Sequence, residues 1–111
     1  MPIISNLFQL LVAHAVSDFV LQHEAMGTGK NRHNVIHNRA DKHFPAWYYW
    51  LTSHALVHGG AVYLITGSFV LGIIETALHW IIDYSKCEGW VNFHQDQALH
   101  FGCKAAYAYL M

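Results

Sequence analysis

Hydrophobic and polar positions alternate in long blocks. Residues 2–22 are mostly apolar, with Asp18 their only carboxylate, and a polar segment, 23–45, follows. Further apolar stretches cover 46–66, 68–85 and 90–111. Each is long enough for one helical crossing of a hydrocarbon core, which takes about 20 residues. Leu, Ala, Met and Gln mix with aromatic residues without period-2 alternation, so the pattern predicts helices rather than strands. The expected fold is all-α, a four-helix transmembrane bundle forming one domain over 1–111. The first stretch lacks a basic leader and contains His14 and Asp18, so it reads as a retained span and not a cleaved signal.

Composition sharpens this picture. Hydrophobic residues make up 54% of the chain and charged residues 12%, about half the charge usual in a soluble domain. A disordered tail, a coiled coil and a basic nucleic-acid module are thereby disfavoured, and a net charge of -1 offers no footprint for a phosphate backbone. The competing class is an unusually apolar soluble bundle. Against it, Trp47, Tyr48, Tyr49, Trp50, Tyr84 and Trp90 cluster near segment ends, where interfacial rings sit. Lys30, Arg32, Arg39 and Lys42 lie between the first two stretches and Lys86 between the last two, whereas the turn near Gly67 is uncharged. The positive-inside rule then predicts a multi-pass protein of the cytoplasmic membrane with both basic connections in the cytoplasm. Cys87 and Cys103 form neither a CxxC pair nor a disulfide framework and read as free thiols.

Chemistry is concentrated in pairs spaced i, i+4: His14 and Asp18, His54 and His58, Glu75 and His79, His79 and Asp83, Asp96 and His100. With His33/His37 and His37/Asp41 there are seven such pairs, against about 2.5 expected by chance from the chain's His, Asp and Glu content. Residues four apart share a helix face, so every predicted helix aims one pair at a common centre. Ionisable groups at membrane depth are costly and mark function. Imidazoles with carboxylates suit two divalent transition-metal ions, zinc, iron or manganese, held by His14, Asp18, His54, His58, His79, Asp83, Asp96 and His100. Glu75 can be a further ligand, a general base or an orienting partner. Gln22, Gln97 and Lys86 are candidates for contacting an anionic substrate. The segment 23–43, including the histidine-rich run 31–43, reads as a solvated cytoplasmic loop, with a second metal site or a contact for anionic lipid headgroups as the alternatives. No GxSxG, Walker or dinucleotide motif is present.

The string His14-x3-Asp18-Phe19-x-Leu21-Gln22, then Met26, Lys30, His54-x3-His58, His79-x3-Asp83-x2-Lys86 and Asp96-Gln97-x2-His100 resembles the small bacterial and phage membrane family called domain of unknown function 3307. That resemblance spans almost the whole chain and implies a bacterial inner-membrane bundle with a polar centre, but brings no activity with it. The residues themselves lead to the expectation of a dinuclear metal-dependent hydrolase of a phosphoester or other ester, on a lipid or nucleotide substrate at the cytoplasmic interface. The alternatives are a di-iron oxidative enzyme on a hydrocarbon chain and a metal carrier or sensor. The expected partner is the lipid bilayer, no nucleic acid is expected, and a homo-oligomer is left open.

Overall fold

A computed structural model of the chain describes residues 2–34 and 46–111, and they form only helices, turns and short connections. Helix α1 spans Pro2–Ala15 and runs directly into a π-helical turn, Val16–Val20, closed by the Leu21 N–H donating to the Val16 carbonyl at 2.8 Å. Such wide turns recur at functional sites. Here it carries Asp18, buried beside Ser17. Helices α3 (Trp47–Thr66), α4 (Phe69–Cys87) and α5 (Phe93–Leu110) follow. A short helix, α2 (Glu24–Gly29), corrects the expectation of a purely irregular connection over 23–45. It is started by His23, whose side chain accepts from the Met26 N–H.

Local chemistry sets the boundaries. Gly67, at φ 70°, ends α3 in the left-handed conformation that glycine adopts without a side-chain clash, and its N–H reaches back to the Tyr63 carbonyl. Ser68 then caps α4 by accepting from the Leu71 N–H, so only two residues separate these antiparallel helices. Asn92 and Gln95 form a capping box at the start of α5.

The four long helices close a ring in which α1 touches α3 and α5, and α4 touches α3 and α5. Facing helices alternate in direction, so the ends of α1 and α4 meet the starts of α3 and α5. Helices α3 and α4 approach most closely where Gly59 and Gly72 face each other: a Cβ on Gly59 would collide with Thr76 and lie 2.7 Å from the Gly72 carbonyl.

Each buried stripe keeps a three-to-four-residue spacing, as in Leu51, His54, Ala55, His58, Gly59 and Val62 of α3. Its content is inverted relative to a soluble core. Among the described residues thirteen polar or charged side chains are buried against eight apolar ones, while Leu64, Phe8 and Phe69 are exposed to 85%, 67% and 65%. Soluble monomers rarely expose contiguous apolar surface on that scale. One end is nonetheless packed conventionally, by Leu10, Val62, Leu71, Tyr107 and Ala108 with Leu7, Ile65 and Cys103 around them.

Of the four expected spans, one helical run, Pro2–Val20, is long and apolar enough to cross a membrane by length and composition. The others fall short because their inward stripes carry His54 and His58 in α3, Glu75, His79 and Asp83 in α4, or Asp96, His100 and Lys104 in α5, and a hydropathy average counts both faces of a helix.

Candidate metal centre

Halfway along the ring, His54, His58, His79 and His100 come together, with the His58 and His79 rings stacked at 3.6 Å and the His79 and His100 rings at 4.0 Å. One set of four potential ligand atoms surrounds Asp18. Its Oδ1 lies 3.1 Å from His54 Nε2, 3.3 Å from His58 Nε2 and 4.0 Å from His79 Nε2. Bonds of 2.0–2.1 Å from a tetrahedral zinc ion imply ligand separations of about 3.4 Å. The separations of Asp18 Oδ1 from His54 and His58 lie near that value and that from His79 is longer, so the set Asp18, His54, His58, His79 is close enough together to take one ion after an adjustment of the side chains. The Nε2 atoms of His58 and His79 have no hydrogen-bond partner, which leaves both able to coordinate.

A second set consists of Asp83, Asp96 and His100, with His100 Nε2 3.1 Å from Asp83 Oδ1 and 3.3 Å from Asp96 Oδ1. Asp83 joins the two. Its other oxygen, Oδ2, lies 3.3 Å from His54 Nε2 and 3.5 Å from His79 Nε2, so one carboxylate faces both sets with one oxygen each.

Glu75 takes a different place from either set. Its carboxylate accepts from Lys104 Nζ at 2.6 Å, from the Tyr107 hydroxyl at 3.0 Å and from His79 Nδ1 at 3.2 Å. Because a carboxylate can only accept here, the proton of His79 is fixed on Nδ1 and the lone pair on Nε2, the atom turned to Asp18 and Asp83. Of the three roles open to Glu75 in the sequence, this geometry gives the orienting one, the arrangement that supports metal-ligating histidines in general. A cation on Glu75, His79 and His100 would compete with the Lys104 ammonium for the same oxygen.

Gln97 sits between the carboxylates. Its Nε2 donates to Asp18 Oδ2 at 2.9 Å and to Asp96 Oδ2 at 3.1 Å, so its Oε1 is the atom at 3.1 Å from His14 Nε2. His14 is thus brought to the centre but lies outside both ligand sets, its Nε2 proton being used on Gln97. Gln22, expected near substrate, instead donates to the Asp18 backbone carbonyl and accepts from Lys30 Nζ at 2.6 Å. Lys86 remains 25% exposed, 3.6 Å from Asp96 Oδ2.

Three residues escaped the sequence reading. Lys30, expected in a solvated basic connection, is buried, and its Nζ lies 2.7 Å from Asp83 Oδ2. Lys104 and Tyr107 carry Glu75. Lys104 could have been found, since a lysine four residues beyond His100 inside an apolar stretch is itself an ionisable group at depth. Lys30 stood in the string that resembles the family, but nothing around it in the chain marked it as buried. Four buried carboxylates (Asp18, Glu75, Asp83, Asp96) thus face three lysines (Lys30, Lys86, Lys104) and the imidazoles of the centre.

The polar connections clasp outside the ring. Glu88, after α4, accepts from Arg32 and from His33 Nε2 at 2.8 Å, and these bonds hold its carboxyl down to about 2. His37, Arg39, Asp41, Lys42 and His43, and with them the two sequence pairs through His37, lie outside the described residues. Both cysteines are free thiols.

Over residues 6–111 the chain matches the model of the family described as "Protein of unknown function (DUF3307)". The chain belongs to the DUF3307 family. No curated protein and no solved structure matches it. What a DUF3307 chain such as this one does must accordingly be read from its own residues.

Proposed function

We propose that this protein is a membrane-embedded, metal-dependent hydrolase acting on an ester at the cytoplasmic interface. The observation that carries the reading is Asp83, whose two oxygens face two separate sets of buried His and Asp ligand atoms. Two metal ions there would supply a water of lowered pKa and electrostatic stabilisation of the leaving oxygen. The chain's own residues do the rest. Asp18, His54, His58 and His79 hold one position and Asp83, Asp96 and His100 the other, while Glu75 fixes the His79 ring. The second set has only three donors, which leaves room for water or substrate as catalytic sites require. Lys86, partly exposed beside Asp96, is placed to meet an anionic ester oxygen.

Four spans are supported by the inverted exterior and by helix length. Runs of 18 to 20 residues rise about 27–30 Å, the thickness of a hydrocarbon core. Trp47, Tyr48, Tyr49, Trp80, Tyr84 and Trp90 gather at one end, the end of Lys30 and Lys86. His54 lies two turns of α3, about 10 Å, below that belt. The opposite end is closed by the Leu10–Val62–Tyr107 cluster. A centre polar on one side and sealed on the other favours hydrolysis over ion transport, which needs a path to both faces.

Protein purified in detergent without chelator should retain close to two transition-metal ions per chain and hydrolyse some member of a panel of chromogenic phosphoesters and carboxylic esters, and Asp83→Asn should abolish that turnover. Retention of no metal, the imidazoles being satisfied by the carboxylates alone, would overturn the reading. Metal uptake into sealed proteoliposomes that disappears in Asp83→Asn would replace it with a carrier.

A further inference from the structure

No residue of either ligand set is more than 7% exposed, so an ion cannot enter the centre while the molecule keeps this form. Helices wall the sides, and the Leu10–Val62–Tyr107 cluster fills the far end. At the aromatic end the cover is the segment 22–34, which leaves the π-helical turn through the irregular link 21–23 and carries α2. Its hold on the ring is mainly polar. Gln22 Nε2 donates to the Asp18 carbonyl at 3.3 Å, the Lys30 ammonium donates to Asp83 Oδ2 and to Gln22 Oε1, and Glu88 accepts from Arg32 and from His33. Among the described residues none of its apolar side chains is buried. Segments with so little buried apolar contact open locally at a low free energy. The two carboxylates that hold it stand five positions apart at the end of α4, Asp83 inside the ring and Glu88 outside it. Lys30, 3% exposed, rests on the Asp83 oxygen that also faces His54 at 3.3 Å and His79 at 3.5 Å, so an entering cation meets a positive charge there and has to displace it.

We propose that 22–34 is a hinged strap, shut in this structure, through which metal ions reach the centre. Lys30 is its plug, the bonds of Arg32 and His33 to Glu88 are its latch, and 21–23 is its hinge. Opening lifts Lys30 off Asp83 and so uncovers, in one movement, the carboxylate that both ligand sets share. The latch lies outside the ring, so weakening it changes how often the strap opens and not what the centre offers an ion. The plug acts on both. As a gate for metal the proposal rests on the metal reading of the centre; as a movable cover it stands apart from that reading.

The test uses the full-length protein in phosphatidylcholine nanodiscs. After chelation, acetylation by a water-soluble succinimidyl ester, read by mass spectrometry, reports how often Lys30 is uncovered. In the wild type Lys30 should react at least about tenfold more slowly than the partly exposed Lys86. Glu88→Gln should speed that reaction about fivefold, the effect of losing a charge-assisted pair at a partly exposed site. Arg32→Gln, a change on the exposed side of the same pair, should do likewise. Lys104, buried against Glu75, is the internal control and should stay unmodified. In zinc-loaded protein both latch variants should speed zinc uptake and its release to EDTA by the same factor and leave the affinity unchanged, whereas Lys30→Met should raise the affinity. Lys30 acetylated as fast as Lys86 in the wild type, or at a rate indifferent to both latch variants, would refute the strap. So would Lys104 reacting in step with Lys30, since the whole bundle would then be loosening. Acetylation that follows the latch while zinc exchange does not would mean that ions enter elsewhere, and would refute the gate. Protein that holds no zinc, but whose Lys30 acetylation follows the latch, would count against the metal reading and keep the strap.

Discussion

Glu75 offers the sharpest test of how the centre is held. It is fully buried and accepts from Lys104, Tyr107 and His79. Replacing it by glutamine preserves shape but leaves the Lys104 ammonium, itself buried, without an anion. Breaking a buried pair from one side typically costs about 3–5 kcal/mol. Replacing both partners by neutral groups costs much less, because no uncompensated charge remains. Glu75→Gln and Lys104→Met should therefore each lower unfolding free energy by several kcal/mol. The double variant should recover at least about 2 kcal/mol relative to their sum. Metal affinity should behave differently. An amide turned to receive the His79 proton is a weaker acceptor than a carboxylate, so the single and double variants should both bind the metal about 10–100-fold more weakly, the usual loss when an orienting partner of a ligand is removed. Unfolding titrations in mixed micelles and competition with a fluorescent zinc chelator measure the two quantities on the same samples. Additive stability losses would refute the pairing of Glu75 with Lys104. Strong coupling with unchanged metal affinity would refute the orienting role of Glu75 while leaving the ion pair intact.

Lys30→Met should strengthen divalent-metal binding about tenfold or more, because the ammonium 2.7 Å from Asp83 Oδ2 no longer has to be displaced from that oxygen; isothermal titration would show weaker binding if Lys30 instead steadies the carboxylate. Gly59→Ala should cost about 1–3 kcal/mol, since its Cβ would strike Thr76 and the Gly72 backbone, whereas Gly60→Ala, which meets nothing within 4 Å, should be neutral or mildly stabilising in the same thermal melts. The carboxyl of Glu88, held down to about 2 from an ordinary 4.5 by Arg32 and then His33, gives its clasp a stabilisation that is complete above pH 4.5 and lost as pH falls towards 2; NMR titration of that carboxyl should follow this window, and at pH 8 Glu88→Gln should speed tryptic cleavage at Arg32, an unchanged rate refuting the clasp. With Cys87 and Cys103 replaced, a cysteine near Asn34 should be labelled only from the cytoplasm of intact cells and one at Gly67 only from the opposite side, while equal labelling would argue for a soluble bundle.

Helical periodicity is local, and for that reason the sequence by itself determined the four long helices and the inward pairs on them. His54 with His58, and His79 with Asp83, share a face whatever the helices pack against, and Gly67 and Ser68 mark a turn through backbone conformation alone. Which pair meets which is a matter of packing between helices remote in the chain, and only the tertiary structure decided it. Asp83 stands between two ligand sets because α4 lies opposite both α3 and α5. His14 gives its proton to Gln97, 83 positions away, and so leaves the ligand sets for which its spacing had nominated it. Glu75 became an orienting partner when Lys104 and Tyr107 of α5 arrived at its carboxylate. Lys30 was read as solvated because its neighbours in the chain are polar, and no pattern over a few residues can announce a partner 53 positions on. Averaging along the chain has the same limit: hydropathy sums the two faces of a helix, and only the folded ring separates ionisable stripes turned inward from apolar ones turned out.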